Sequence, residues 1–202
     1  MTNAEALSKK KTKESKIYSL HEYLIREEKA IEKHEFYNGQ IIKKLSSKFY
    51  HNLIASDITF AIGNEIKKLS KKFLLVGSGQ KVYIVTENIA IYADALVICE
   101  KQVYFQNQKS LITNPLLIIE VLSPSTKKYD SKTKFDSYKL LPSFKEYVLI
   151  DTRKQVIETR FREEEDLWRI KTVTGENTAV ILRSLENISF APAQVYDDVE
   201  FA

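Results

Sequence analysis

Cysteine is almost missing from this chain: Cys99 stands alone among 202 residues, so no internal disulfide can staple the fold, and the apolar run around it predicts a buried thiol. No apolar stretch reaches the roughly 18 residues that a membrane span needs, and the lysines near the N-terminus lead into no secretory-type apolar segment. These absences argue against a membrane protein or a disulfide scaffold, and the expectation is a cytoplasmic protein. Internal repeats are missing too, as is low complexity beyond the N-terminal tail, which removes solenoid architectures from consideration.

What is present is an ordinary globular composition, 44% apolar and 29% charged, at a length that suits one domain. The net charge of +4 is a poor guide to partners because of where it sits. Residues 1–17 carry five lysines against Glu5 and Glu14, a balance of +3, which leaves +1 for everything that follows. That polar segment reads as a disordered lysine-rich tail, and residues 18–202 as a single domain.

Ser19 and Glu22 have the spacing of a capping box, so a helix is expected from Leu20 to Lys33. Phe36 to Ile42 reads as two short strands about the turn dipeptide Asn38-Gly39. Ile54, Ile58, Ala61, Ile62, Ile66 and Leu69 recur at three- and four-residue steps and predict an amphipathic helix over Asn52 to Leu69. Strand-like runs follow at Phe73 to Val76, Lys81 to Val85, Ile89 to Cys99 and Leu116 to Leu122, the last closed by Pro124. A helix over Ser131 to Leu141 is stopped by Pro142, a strand covers Glu146 to Ile150, and Gln155 to Phe161 with Leu167 to Val173 forms a C-terminal β-hairpin with Trp168 and Ile170 on one face.

Two acids interrupt this pattern. Glu120 breaks the run Leu116 to Leu122, and Asp94 breaks Ile89 to Cys99, both of which read as strands covered on two faces. An unpartnered carboxylate in such a place costs several kcal/mol, so each must face a polar crevice or meet a cation, and a pair of them points to one shared cation. Neighbouring basic residues or a bulge at a sheet edge would explain either acid singly. After Glu120 comes Ser123-Pro124-Ser125-Thr126-Lys127-Lys128-Tyr129-Asp130-Ser131-Lys132-Thr133-Lys134, hydroxyls and cations leading into a helix, where a phosphate can bind. Lys127, Lys128 and Lys132 are candidate nucleic-acid contacts, with plain solvated lysines as the other reading. Asp130, Lys134 and Tyr138 fall on one helix face, from which Lys134 can reach back to Glu120.

The string Glu120 to Thr126, followed by Asp130-x-x-x-Lys134-x-x-x-Tyr138 and Glu146-Tyr147-Val148-Leu149-Ile150-Asp151, resembles the Uma-type endonucleases of the PD-(D/E)XK superfamily. Ala93-Asp94 stands where that family has Pro-Asp, Glu35 to Ile41 matches its early Glu-x-x-x-Gly hairpin, and His51 matches a histidine before its first core helix. The resemblance runs from about Ser19 to Asp151. It implies an α/β fold with a central mixed β-sheet flanked by helices, a restriction-endonuclease-like core to which the C-terminal hairpin is added. It also implies catalytic Asp94, Glu120 and Lys134, a Mg2+ or Mn2+ ion held by Asp94, Glu120 and Glu35, and His51 and Tyr138 behind them. His51 has a second reading, a histidine at a helix start bonded to backbone.

The expected activity is metal-dependent hydrolysis of DNA phosphodiesters by a homodimer with no membrane partner. The superfamily motif places lysine two residues after the acidic strand residue, where this chain has Leu122, so Lys134 would have to substitute from the helix. A catalytically silent relative that binds nucleic acid or a protein partner is the alternative. A purely structural dimer whose strand acids are paired with basic residues is a third reading, which Asp94 and Glu120 pointing to opposite faces of the sheet would promote.

Overall fold

The computed structural model describes residues 16–176 and 178–201. Apart from Lys16 and Ile17, the expected tail lies outside the described residues.

Helix α1 spans Leu20–Lys29 and opens on its capping box: the Glu22 amide donates to Ser19 Oγ (3.2 Å), and the Ser19 amide donates to the Glu22 carboxylate (2.8 Å). It ends before the expected Lys33. Ala30 leaves helical geometry (φ −77°, ψ 137°), and the Glu27 carboxylate turns to accept the amide of His34 at 2.9 Å and to pair with its ring at 3.1 Å. Strands β1 (His34–Tyr37) and β2 (Gln40–Lys43) form the hairpin, and both turn residues have positive φ, 41° at Asn38 and 96° at Gly39, as a tight twisted turn requires. Helix α2 (Phe49–Ile66) starts before the expected Asn52 and stops before Leu69, and it buries Ile54, Ile58, Ala61, Ile62 and Ile66 as their spacing predicts.

The main sheet joins β3 (Phe73–Gly77), β6 (Ala95–Cys99), β8 (Leu117–Leu122), β9 (Glu146–Asp151), β10 (Val156–Arg162) and β11 (Trp168–Thr174) in the order β11-β10-β9-β8-β6-β3. Only β8 and β9 run parallel, so the sheet is mixed, and those two strands are buried on both faces, which is why they read as nearly unbroken hydrophobe. The expected hairpin is β10 and β11, and it extends this sheet by antiparallel pairing onto β9. Trp168 packs against Phe135 (4.9 Å between ring centroids), whereas Ile170 lies out at 57% exposure.

The run from Ile89 to Cys99 is two strands and not one. β5 (Ile89–Tyr92) belongs to a second sheet ordered β2-β1-β5-β4-β7, with β4 (Lys81–Ile84) and β7 (Leu111–Ile112), while β6 belongs to the main sheet. The break falls at Ala93-Asp94, where the Asp94 carboxylate accepts the amide of Val121 at 2.9 Å. The expected single central sheet is therefore accompanied by a second one packed on its face, through Ile84, Ile91, Leu96, Ile118 and Tyr147. Cys99 closes β6 half-exposed, contrary to the buried thiol expected, because it stands at the strand end.

The opposite face of the main sheet is covered by α2 and by a C-terminal unit that periodicity did not reveal: β12 (Val180–Leu182), β13 (Ile188–Phe190) and helix α4 (Ala193–Tyr196). Glu146 pins that unit, accepting the amides of Arg183 (3.1 Å) and Ser184 (2.9 Å) and the Ser184 hydroxyl (2.7 Å). The helix expected over Ser131 to Leu141 starts earlier and differently, as a π-helical turn over Tyr129–Lys134 running into α3 (Phe135–Tyr138). No helix among the described residues is long and apolar enough to cross a membrane.

Candidate active site

Glu120 lies on β8 between Ile118 and Leu122, which face the second sheet, so strand alternation turns its carboxylate into the space between the two sheets. Asp94 enters the same space from the break between β5 and β6, with Leu96 and Ile98 next on that face. The two acids thus share a face, and Asp94 Oδ2 is bonded to the amide directly after Glu120. They do not point to opposite faces, the arrangement that would have promoted a purely structural dimer, although each is paired with basic residues.

The superfamily motif expected from the sequence has a strand lysine two residues after the acid. Leu122 stands there, buried in the core, while Lys134 Nζ comes from the π-helical turn to 3.0 Å from Glu120 Oε1. It also donates to the Tyr92 carbonyl (2.8 Å) and lies 3.4 Å from Asp130 and 3.7 Å from Glu35. A π turn brings residues five apart onto one side, and so Tyr129 joins the face that spacing assigns to Asp130, Lys134 and Tyr138. The Lys134 ammonium sits 5.5 Å from the Tyr129 ring centroid. Tyr138 donates to Glu120 Oε1 at 3.1 Å, so both donors use one oxygen, and among the described residues Oε2 has no protein donor.

Burial pushes the Glu120 carboxyl up to about 8; Lys134 opposes the shift, and Asp94 and Asp130 add to it. Burial pushes Lys134 the other way, but Glu120, Glu35 and Asp130 outweigh it and hold the ammonium charged. Asp94 is also raised by burial, yet the hydrogen bond from His51 and the charges of Lys44, His51 and Lys134 carry it well below the usual carboxylate range. One acid of the pair is thereby firmly ionised, and the other retains a proton easily.

His51 is not bonded to backbone: its Nε2 lies 3.2 Å from Asp94 Oδ2, and its buried Nδ1 has no partner. The nitrogen that faces the carboxylate is Nε2, whose N–H donates to Asp94. Glu35 has both oxygens engaged, Oε1 by the Tyr92 amide (3.2 Å) and Oε2 by the hydroxyls of Tyr129 (2.7 Å) and Tyr37 (3.0 Å). Lys127, exposed, is held by Asp151 at 2.7 Å, while Lys128 and Lys132 are exposed in the same segment. Lys44, which sequence reasoning passed over, lies 3.5 Å from Asp94 Oδ1. Its one signal was its position just past the Glu-x-x-x-Gly hairpin.

Among the described residues no three His, Cys, Asp or Glu side chains form a ready-made metal cluster. The donors fit a cation that takes few protein ligands, with Asp94 ionised and Glu120 keeping Oε2 free, which is the habit of Mg2+ at one or two carboxylates.

The mixed main sheet, covered by α2 on one face and by the second sheet on the other, is a fold with a solved counterpart. A crystal structure from Anabaena variabilis, described as a putative nuclease belonging to DUF820, shares it with a TM-score of 0.67 over 89% of this chain and 98% of that one, at 17% identity. The model of the Uma2 family, described as "putative restriction endonuclease", matches residues 20–193, and the chain belongs to that family. Two proteins of Synechocystis are similar along most of their length. The uncharacterized protein sll1609 is 32% identical over 82% of this chain and 93% of its own, and slr1290 is 29% identical over 91% and 93%.

Proposed function

We propose that this chain is a divalent-metal-dependent endonuclease that hydrolyses phosphodiester bonds of DNA. One observation carries the reading: a fully buried Glu120 keeps one carboxylate oxygen free while Lys134 and Tyr138 hold the other, directly beside an ionised Asp94. Asp94 and Glu120 would hold Mg2+ or Mn2+, the hard cations that oxygen ligands select. Such an ion, when bound, lowers the pKa of water and neutralises phosphate charge. Glu35, with its oxygens already engaged, anchors Lys134 from the far side. Lys134 keeps a positive charge against the scissile phosphate, a role in which one donor is worth roughly 3 kcal/mol in the transition state. His51 fixes the orientation of Asp94, and Tyr138 that of Glu120. Membership of the family described as a restriction endonuclease supports nucleic acid as the substrate class.

The test is nicking of supercoiled plasmid in Mg2+ or Mn2+. Conversion to open circles by the wild type, lost in Asp94→Ala and Glu120→Ala, is the expected outcome; no nicking, or nicking unchanged in both variants, would overturn the proposal. The second reading, a silent relative that only binds DNA, is favoured by Leu122 at the motif position and by the lack of a three-ligand cluster among the described residues. It predicts salt-sensitive binding with no cleavage in any metal.

A further inference from the structure

A cavity of about 710 Å3 opens on the outer side of Asp94, walled by the turn before β1, the β2–α2 connection, the first half of α2 and the β3–β4 turn. Of the residues that the sequence singled out, Asp94 and His51 line it. Its charges are not all paired. Lys33 and Lys44 both line it, and the acids that line it are Asp94 and Glu32. Glu32 is already paired with Lys43 at 2.6 Å. Lys44 lies 3.5 Å from Asp94, but Lys33 makes no ion pair among the described residues. The Lys33 ammonium donates to the Ser78 carbonyl at 2.7 Å, has the Ser78 hydroxyl at 3.5 Å, and lies 5.1 Å from the Tyr92 ring centroid. An ammonium has three N–H donors, so Lys33 retains donor capacity for an anion in the cavity. The rim carries two exposed aliphatic side chains, Ile31, fully exposed, and Leu45 at 62%. Two lysines beside exposed aliphatic side chains suit a group with a phosphate at one end and a sugar or base at the other.

We infer that this cavity is a nucleotide subsite of the DNA strand, in which Lys33 and Lys44 grip the phosphate next to the one that is cleaved and Ile31 and Leu45 contact its sugar or base. The inference rests on the endonuclease reading for its substrate. A grip on a flanking phosphate favours cutting within a strand, because a terminal nucleotide lacking that phosphate leaves the two lysines without a partner.

The test measures binding separately from cleavage. The full chain carrying Glu120→Gln is titrated with a fluorescein-labelled DNA duplex in Mg2+ over a series of KCl concentrations, with and without Lys33→Gln. Loss of one phosphate contact should weaken binding about tenfold and lower the slope of log K against log salt by about one. Lys33→Arg should retain the slope, and Lys44→Gln should reduce it as Lys33→Gln does. Lys68→Gln, which removes an exposed lysine paired with Glu65 at 2.6 Å, is the control and should change neither quantity. An unaltered slope in both Lys33→Gln and Lys44→Gln, or an equal loss in Lys68→Gln, would overturn the inference. Should the parent protein nick no plasmid while the Lys33 slope loss holds, the phosphate subsite stands and the endonuclease reading fails. Nicking with an unchanged slope means the reverse.

Discussion

Replacing Lys134 with Met removes the one cation that Glu120, Glu35 and Asp130 share, at 3.0, 3.7 and 3.4 Å. The lysine is 2% exposed and Glu120 1%, so water cannot take over its role. Breaking a buried pair by deleting one partner costs about 3–5 kcal/mol, because the remaining charge is stranded. At roughly 2–4 °C per kcal/mol for a domain of this size, Lys134→Met should melt about 6–20 °C below the wild type. The penalty should grow as pH rises through about 8, where Glu120 gives up the proton that burial helps it keep and loses the charge partner that Lys134 supplies. The mechanism also predicts non-additivity: adding Glu120→Gln to Lys134→Met should return roughly 1 kcal/mol or more, since contacting charged groups couple by about that much. Thermal and urea denaturation followed by circular dichroism on both sides of pH 8 measure all three quantities. A loss below about 1 kcal/mol, or a double variant no more stable than Lys134→Met, would refute the view that stranded buried charge dominates here.

Glu120 titrates near 8, above its ordinary 4.5, so the native state holds a proton that the unfolded chain has lost between those values. Wild-type stability should therefore fall through that window and level off above it, relative to Glu120→Gln, as denaturation across the pH series will show. A metal must displace the same proton, so Mg2+ affinity by calorimetry should rise with pH up to about 8 and be accompanied by proton release. Tyr138→Phe deletes one donor to the Glu120 anion, costs about 1–2 kcal/mol, and should move the acidic limb of the cleavage pH profile upward. Asp94→Asn should abolish plasmid nicking while leaving the circular dichroism spectrum unchanged. Glu146→Ala should release three hydrogen bonds to Arg183 and Ser184 and cost about 3 kcal/mol, with no change in nicking per folded molecule.

Much of this arrangement was legible because its signals are local. The capping box at Ser19 and Glu22, the Asn38-Gly39 turn and the periodic isoleucines of α2 each depend on neighbouring residues, and each appears where the spacing puts it. Glu120 stood out as an acid in a doubly buried strand, and its link to Lys134 followed from four-residue spacing. What stayed hidden depends on distant contacts. The partition of Ile89 to Cys99 between two sheets follows from the Asp94 bond to Val121, which no window of sequence contains. Strands β12 and β13 are three residues each, too short to show a period, and are fixed by Glu146 from far away in the chain. The π turn over Tyr129–Lys134 leaves no mark in apolar spacing, so the part of Tyr129 beside Glu35 went unseen. Lys33 and Lys44 read as ordinary hydrophilic residues until the fold sets them around one cavity.

The central claim, that Asp94 and Glu120 grip one common cation, is tested most directly by a crystal soaked in Mn2+ and measured for anomalous scattering. The account predicts one strong peak between the two acids, about 2–2.3 Å from an oxygen of each, with Glu120 Oε2 among the ligands. A peak bound to one acid alone, or an ion elsewhere with Lys134 still on Glu120 and nothing beside Asp94, would contradict it.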